Sequence, residues 1–272
     1  MAQHEGQRSV TPVVKLFSTP FLAIGITCAL ASAAFAGSFV GTEAADVLQG
    51  TEEPDQIYAE AGDDTVTGLG DNDYLEADAG ADTVDGGPGV DLLLGGTGDD
   101  RLLGGSGSDL VYAGADDDEL LGGPGMDHLF GQVGADRLFG GPDGDRLYAG
   151  TDMEVGEADF VDGGSGADKI TSDGVATLLG GPGADTIKAN GERVTVDGGP
   201  DADRLRTGSG DDDVTGGSDA DKIFTGRGKD VVDATDGERD VVDCGKGRDR
   251  VRADRIDVVE HCEVTLGARA RR

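Results

Sequence analysis

The sequence predicts an all-β fold wound as a parallel β-solenoid, and three observations carry that expectation. A nine-residue unit repeats from Gly41 to Arg252, its eighth position is always Leu, Ile or Val, and glycine supplies 49 of 272 residues while Trp is absent and aromatics make up 4%. So much glycine with so few large side chains argues against an ordinary jigsaw core. One aliphatic residue per nine defines no helix face, which needs three or four apolar positions per two turns. It suits a strand of about three residues with one side chain pointing inward, followed by a tight turn of about six residues in which glycine reaches positive φ. Two units then complete one coil, and residues one coil apart stack at the parallel-strand spacing of about 4.8 Å.

The chain opens differently. Arg8 and Lys15 precede the apolar run LFSTPFLAIGITCALASAAFA, which closes on Ala34-Phe35-Ala36, the small-x-small pattern that signal peptidase reads. Residues 1–36 are therefore expected to be a cleaved Sec-type signal, and the mature chain to be secreted and extracellular. An uncleaved membrane anchor is the alternative, opposed by the shortness of the run and by Pro20 within it. A lipid-modified Cys28 fits less well, because GIT precedes it. The net charge of −33 and the pI near 4.1 make phosphate-rich partners unfavourable, so no nucleic acid and no membrane insertion of the mature chain are expected. Cations are the natural partner.

Twelve uninterrupted units run from Gly41 to Tyr148, the insert AGTDMEVGEADFVD at 149–162 lengthens one, and ten more reach Arg252. The repeat domain is thus expected over 37–252, with 149–162 as a place where it is interrupted, and 253–272 as a cap with a basic tail. Position 6 of the unit is Asp in 21 of 23 cases, the exceptions being Ala176 and Val194.

Stacking coils align those carboxylates. Asp91, Asp109, Asp127 and Asp145 fall on one edge, and Asp82, Asp100, Asp118 and Asp136 on the other; Asp168, Asp185, Asp203, Asp212, Asp221 and Asp230 continue the series. Like charges a few ångströms apart at reduced dielectric oppose closure of the stack, so a doubly charged counter-ion is required between coils. A core of one aliphatic side chain per unit is too thin to offset the ordering of nine residues, which makes metal binding and folding a single event. The repeated donors are oxygens, from Asp and from glycine-rich turns, and they suit calcium, with its six to eight flexible oxygen ligands, over magnesium, zinc or copper. His128 and His261 read as exposed polar residues.

The unit GGxGxDxUx, with U a large aliphatic residue, resembles the repeat of the RTX, or haemolysin-type, calcium-binding proteins. The full GGxG start precedes Asp91, Asp100, Asp109, Asp127, Asp168 and Asp185. The resemblance implies a parallel β-roll with calcium in the turns, held by position-6 Asp side chains and turn carbonyls, and a chain that is disordered until calcium arrives. It places the strongest sites at 86–148 and 163–188 and weak or lost sites around Ala176 and Val194. Asp replaces Gly at position 4 in Asp71, Asp116, Asp143, Asp201 and Asp219, either as an added ligand or as a tolerated left-handed turn residue. Toxins and proteases of that family carry a C-terminal uncleaved export signal, so the N-terminal signal here is a departure.

Beyond residue 36 only Cys244 and Cys262 remain; they lie about one coil apart, and a disulfide between them is expected to clamp the last coil. No HExxH, GxSxG, GKS or GKT sequence occurs, and no catalysis is expected. Position 9 faces outward and lines up Leu94, Tyr112, Phe130 and Tyr148 on one sheet and Leu103, Leu121 and Phe139 on the other. These ladders either bind a partner or a second copy, or pack only against one another. The expected function is a calcium-folded structural module; the alternatives are an adhesin or self-assembling module and, less favoured, the accessory domain of a secreted hydrolase.

Overall fold

The computed structural model describes residues 36–151 and 158–266. The expected signal, apart from Ala36, the centre of the insert and the GARARR tail lie outside them. Two parallel sheets of 13 strands face each other, and the chain alternates between them. The first sheet begins Gly37–Thr42, Asp55–Glu60, Tyr74–Ala79, Leu92–Thr97; the second begins Val47–Gln49, Thr65–Thr67, Thr83–Pro88, Arg101–Ser106. A two-stranded ladder, Arg227–Gly228 with Lys246–Gly247, sits in successive turns. No helix long and apolar enough to cross a membrane occurs among the described residues.

The register follows the repeat. Leu93 pairs with Val111 and Leu102 with Leu120, one coil of 18 residues apart. Leu138 pairs with Val161 and Leu147 with Ile170, so the strands on either side of 149–162 stay in register, here 23 residues apart instead of 18. Leu93, Leu102, Val111, Leu120, Leu129 and Leu138 are fully buried between the sheets.

Many strands are longer than the three residues expected. Leu92–Thr97 and Arg101–Ser106 each have six, while Glu119–Leu121 keeps three. The reason lies at position 1, which also points inward: in Leu92–Thr97 both Leu93 and Gly95 are buried, so the pleat continues past the aliphatic residue into the glycines. Only after position 3 does the chain turn. Positive φ recurs at positions 2 and 4 of the unit, as at Gly105 (107°) and Gly107 (144°).

Candidate metal centre

Position 6 is the last residue of each turn, and its side chain folds under that turn into the roll. Asp82, Asp91, Asp100, Asp109, Asp118 and Asp127 are all between 1% and 3% exposed, as buried as the aliphatic core. Asp91, Asp109, Asp127, Asp145, Asp168, Asp185, Asp203 and Asp221 line one edge, and Asp82, Asp100, Asp118 and Asp136 line the other with Asp212 and Asp230 further along.

The carboxylates are not stacked bare, as the charge argument alone would have them. One oxygen, Oδ1, accepts the backbone N–H of the Asp one coil earlier: Asp91 donates to Asp109 at 2.9 Å, Asp109 to Asp127 at 2.8 Å and Asp127 to Asp145 at 2.8 Å. This amide–carboxylate ladder offsets part of the repulsion. The second oxygen, Oδ2, of Asp91, Asp100, Asp109, Asp118, Asp127 and Asp145 is buried without a hydrogen-bond partner. A buried carboxylate oxygen left unpaired is costly unless a cation meets it.

Glycine at position 1 keeps space beside that oxygen. A Cβ at Gly86 would lie 2.6 Å from Oδ2 of Asp91 and 2.5 Å from the carbonyl oxygen of Gly104; at Gly163 the corresponding distances are 2.6 Å to Asp168 and 2.7 Å to Gly180. A carboxylate oxygen and a carbonyl oxygen of the next coil therefore border one small hollow. An all-oxygen donor set with buried, unpartnered carboxylate oxygens fits a hard divalent cation such as calcium.

Burial is also the main cause of the carboxyl shifts. It pushes Asp118 up to about 8 and Asp91, Asp100, Asp145, Asp185 and Asp203 up to about 7, with the accepted N–H bond pulling the other way. Asp109, Asp127, Asp168, Asp221 and Asp230 rise to about 6. Asp82 and Asp212 rise for the same reason, Asp212 being held back by Thr207.

The position-4 aspartates adopt left-handed backbone: φ is 64° at Asp71, 81° at Asp116, 79° at Asp143, 80° at Asp201 and 79° at Asp219. Asp116 also accepts the N–H of Gly98 one coil earlier, at 3.0 Å. Each thus does what Gly does elsewhere. Ala176 and Val194, the two exceptions at position 6, are buried apolar residues that bring no oxygen to the row.

Cys244 and Cys262 form a disulfide with a Cα–Cα distance of 5.2 Å. On the outer face of the first sheet Leu94 pairs with Tyr112, and Tyr112, Phe130 and Tyr148 stack with centroids 4.7 and 4.8 Å apart. His128 lies beside Arg146, with burial lowering its pKa, and exposed His261 pairs with Asp243 at 2.8 Å, which raises its own.

Two features escaped the sequence reading. On the first sheet, outward positions from Arg146 to Phe224 carry Lys169, Lys188, Arg204, Arg206 and Lys222 and no acid, with Lys188 opposite Arg206 and Arg204 opposite Lys222. Over the same coils the second sheet presents Asp162, Asp197, Asp213 and Asp233. The signal was available at a period of 18 residues, which separates the faces that a period of nine merges. The second feature is the amide ladder, which depends on the Asp side chain folding inward.

Fold and site together define a parallel β-solenoid that takes hard divalent cations at the edges of its coils. The model of the RTX calcium-binding nonapeptide repeat (4 copies) matches overlapping stretches between residues 40 and 152 and between 156 and 240. The chain belongs to that family, whose nonapeptide repeats bind calcium ions, and its solenoid is an RTX β-roll. No curated protein matches the chain at a significant level.

Proposed function

We propose that the protein is a secreted structural module without catalytic activity whose repeat domain folds when calcium binds along its turn edges. Asp82, Asp91, Asp100, Asp109, Asp118, Asp127, Asp136, Asp145, Asp168, Asp185, Asp203, Asp212, Asp221 and Asp230 serve as side-chain ligands, with turn carbonyls completing each site. The observation that carries this reading is the row of buried carboxylates in which the Oδ2 atoms of Asp91, Asp100, Asp109, Asp118, Asp127 and Asp145 lack a hydrogen-bond partner. Secretion rests on the composition of residues 1–36. The test is far-UV circular dichroism of residues 37–272 during a calcium titration, repeated with magnesium. A cooperative gain of strand with calcium alone is expected; a chain already folded in excess chelator and indifferent to calcium sinks the reading.

A second reading, self-association, is favoured by the opposed charge of the two faces. Cations stacked directly opposite one another destabilise a sheet, and the first sheet's Lys188, Arg206, Arg204 and Lys222 are exposed in such columns. The acidic face of a second copy would compensate them, in a heterologous contact that repeats without closing. Sedimentation in calcium tests it. Wild-type mass should grow at low salt, fall for Lys188→Glu with Arg206→Glu, and recover when that variant is mixed with Asp197→Lys/Asp213→Lys. A monomer at every salt and protein concentration rules it out.

A further inference from the structure

Followed at the period of one coil, the two edges of the roll differ. Turns leading from the second sheet into the first begin Gly-Gly-Pro or Gly-Gly-Ser at 86, 104, 122, 140, 163, 180, 198 and 216, and Pro88, Pro124, Pro142, Pro182 and Pro200 all fall in this row. Proline fixes φ in the free chain as in the folded one, so these turns lose less entropy on ordering. Turns on the other edge are irregular: Ala59, Ala77, Ala113, Ala149, Ser172 and Ala189 stand where the proline edge has its first glycine.

The amide–carboxylate ladder differs in the same way. On the proline edge it is continuous from Asp55 to Asp257, each Asp N–H donating to Oδ1 of the next Asp at 2.7–3.1 Å. On the other edge it runs from Asp46 to Asp159 and resumes where the N–H of Val194 donates to Asp212. Between lie Ala176 and Val194, 3% and 1% exposed. Hydrocarbon at position 6 supplies no ligand, and it removes the buried charge that made an ion necessary there.

We propose that calcium forms one unbroken file along the proline edge and two separate files along the other, and that across residues 159–212 the proline-edge file is the one row of ions that joins the two halves of the roll, in addition to the hydrogen bonds of the two sheets. This rests on the reading of the Asp ladders as calcium ligands. In a solenoid each coil is coupled only to its neighbours, so stability is a chain of nearest-neighbour terms. Where both edges hold ions, adjacent coils are joined twice, and loss of one ion leaves the other. Opposite Ala176 and Val194 there is no second ion to lose.

The same substitution at two matched places tests this. Asp91 ends the turn GGPGVD and Asp185 the turn GGPGAD, both on the proline edge. Val194 shows that valine fits at position 6. In the full chain, with protection followed by hydrogen exchange and mass spectrometry through a calcium titration, Asp91→Val should keep a single folding transition at a higher calcium midpoint, because the other edge is intact beside it. Asp185→Val should split the transition, with 41–148 and 197–253 gaining protection at different calcium concentrations.

Equal behaviour of the two variants, whether both single or both split, overturns the proposal while leaving calcium-coupled folding standing; a wild-type chain protected in excess chelator removes the underlying reading itself. If neither variant folds, anomalous scattering from wild-type crystals grown with terbium decides. Peaks between the turns of Asp168, Asp185 and Asp203, with none between Asp159 and Asp212 on the other edge, are expected; peaks across that gap overturn the proposal.

Discussion

Asp118 is pushed up from 3.8 to about 8 by burial first and by the neighbouring carboxylates of Asp136 and Asp100 after it, against the pull of the Asp100 N–H. Its folded-state pKa lies above the unfolded one, so in the metal-free chain folding carries no penalty below about pH 3.8 and a growing penalty as pH rises towards 8. Asp91 and Asp100, at about 7, behave likewise. Calcium reverses the requirement because it binds the ionised form, so binding must release protons and weaken as pH falls. Two outcomes follow for circular dichroism: in calcium-free buffer the chain gains strand between pH 8 and pH 5, and with calcium the titration midpoint moves to higher concentration over the same interval. Equal strand content at both pH values without metal would show that the buried carboxylates do not govern folding. A second single-residue outcome concerns Gly125, at φ 141°, where a Cβ would overlap the carbonyl oxygen of Gly107. Gly125→Ala should cost more than about 1 kcal/mol, read as a higher calcium midpoint, because both the backbone conformation and the space are denied to it.

Among the elements, the strand His128–Val133 carries Phe130 on its outer face, in contact with a ring on either side. Its ring lies between those of Tyr112 and Tyr148, 14° and 3° from parallel, and each stacked pair is worth about 0.5–1.5 kcal/mol. Phe130→Ala should therefore destabilise the calcium-bound roll by roughly 1–3 kcal/mol, seen as a lower thermal midpoint. Sedimentation distinguishes the two uses of the ladder: an unchanged mass assigns it to cross-strand packing, a reduced mass to a contact between copies. The sequence carried the element pattern well where chemistry repeats every nine residues, since Leu93 over Val111 and Asp91 over Asp109 follow from counting. It carried less of what depends on the direction of a side chain. Gly95 at position 1 reads as turn, yet it faces inward and extends the strand. The Asp109 carboxylate reads as a calcium ligand on one edge of the stack, and counting does not show that it folds inward far enough to accept an N–H from the coil before. The difference between the edges was present in the placing of Pro88, Pro124 and Pro142, but only a period of 18 residues separates it from the average.

At the scale of the whole roll, a solenoid is weakest at its ends, where a coil has a neighbour on one side only. The two ends here are finished differently. In the first coil Val40 is 61% and Val47 82% exposed, and Phe39 and Leu48 are only partly buried against the core. In the last coil Val259 and Cys262 are likewise only partly buried against the core, but there the disulfide from Cys244 to Cys262 closes a segment of 18 residues, a constraint worth about 3 kcal/mol against the unfolded chain. The bond ties the first sheet's final strands, where Val242 pairs with Val259, to the point at which the repeat ends. Fraying should therefore be asymmetric: in saturating calcium, hydrogen exchange should be faster over 37–49 than over 241–260. Reduction of the disulfide should accelerate the second segment towards the first and leave 86–148 unchanged, because opening at an end propagates only coil by coil. If 241–260 exchanges at the same rate before and after reduction, the last coil is held by its calcium and its core packing, and the disulfide contributes nothing to the folded roll.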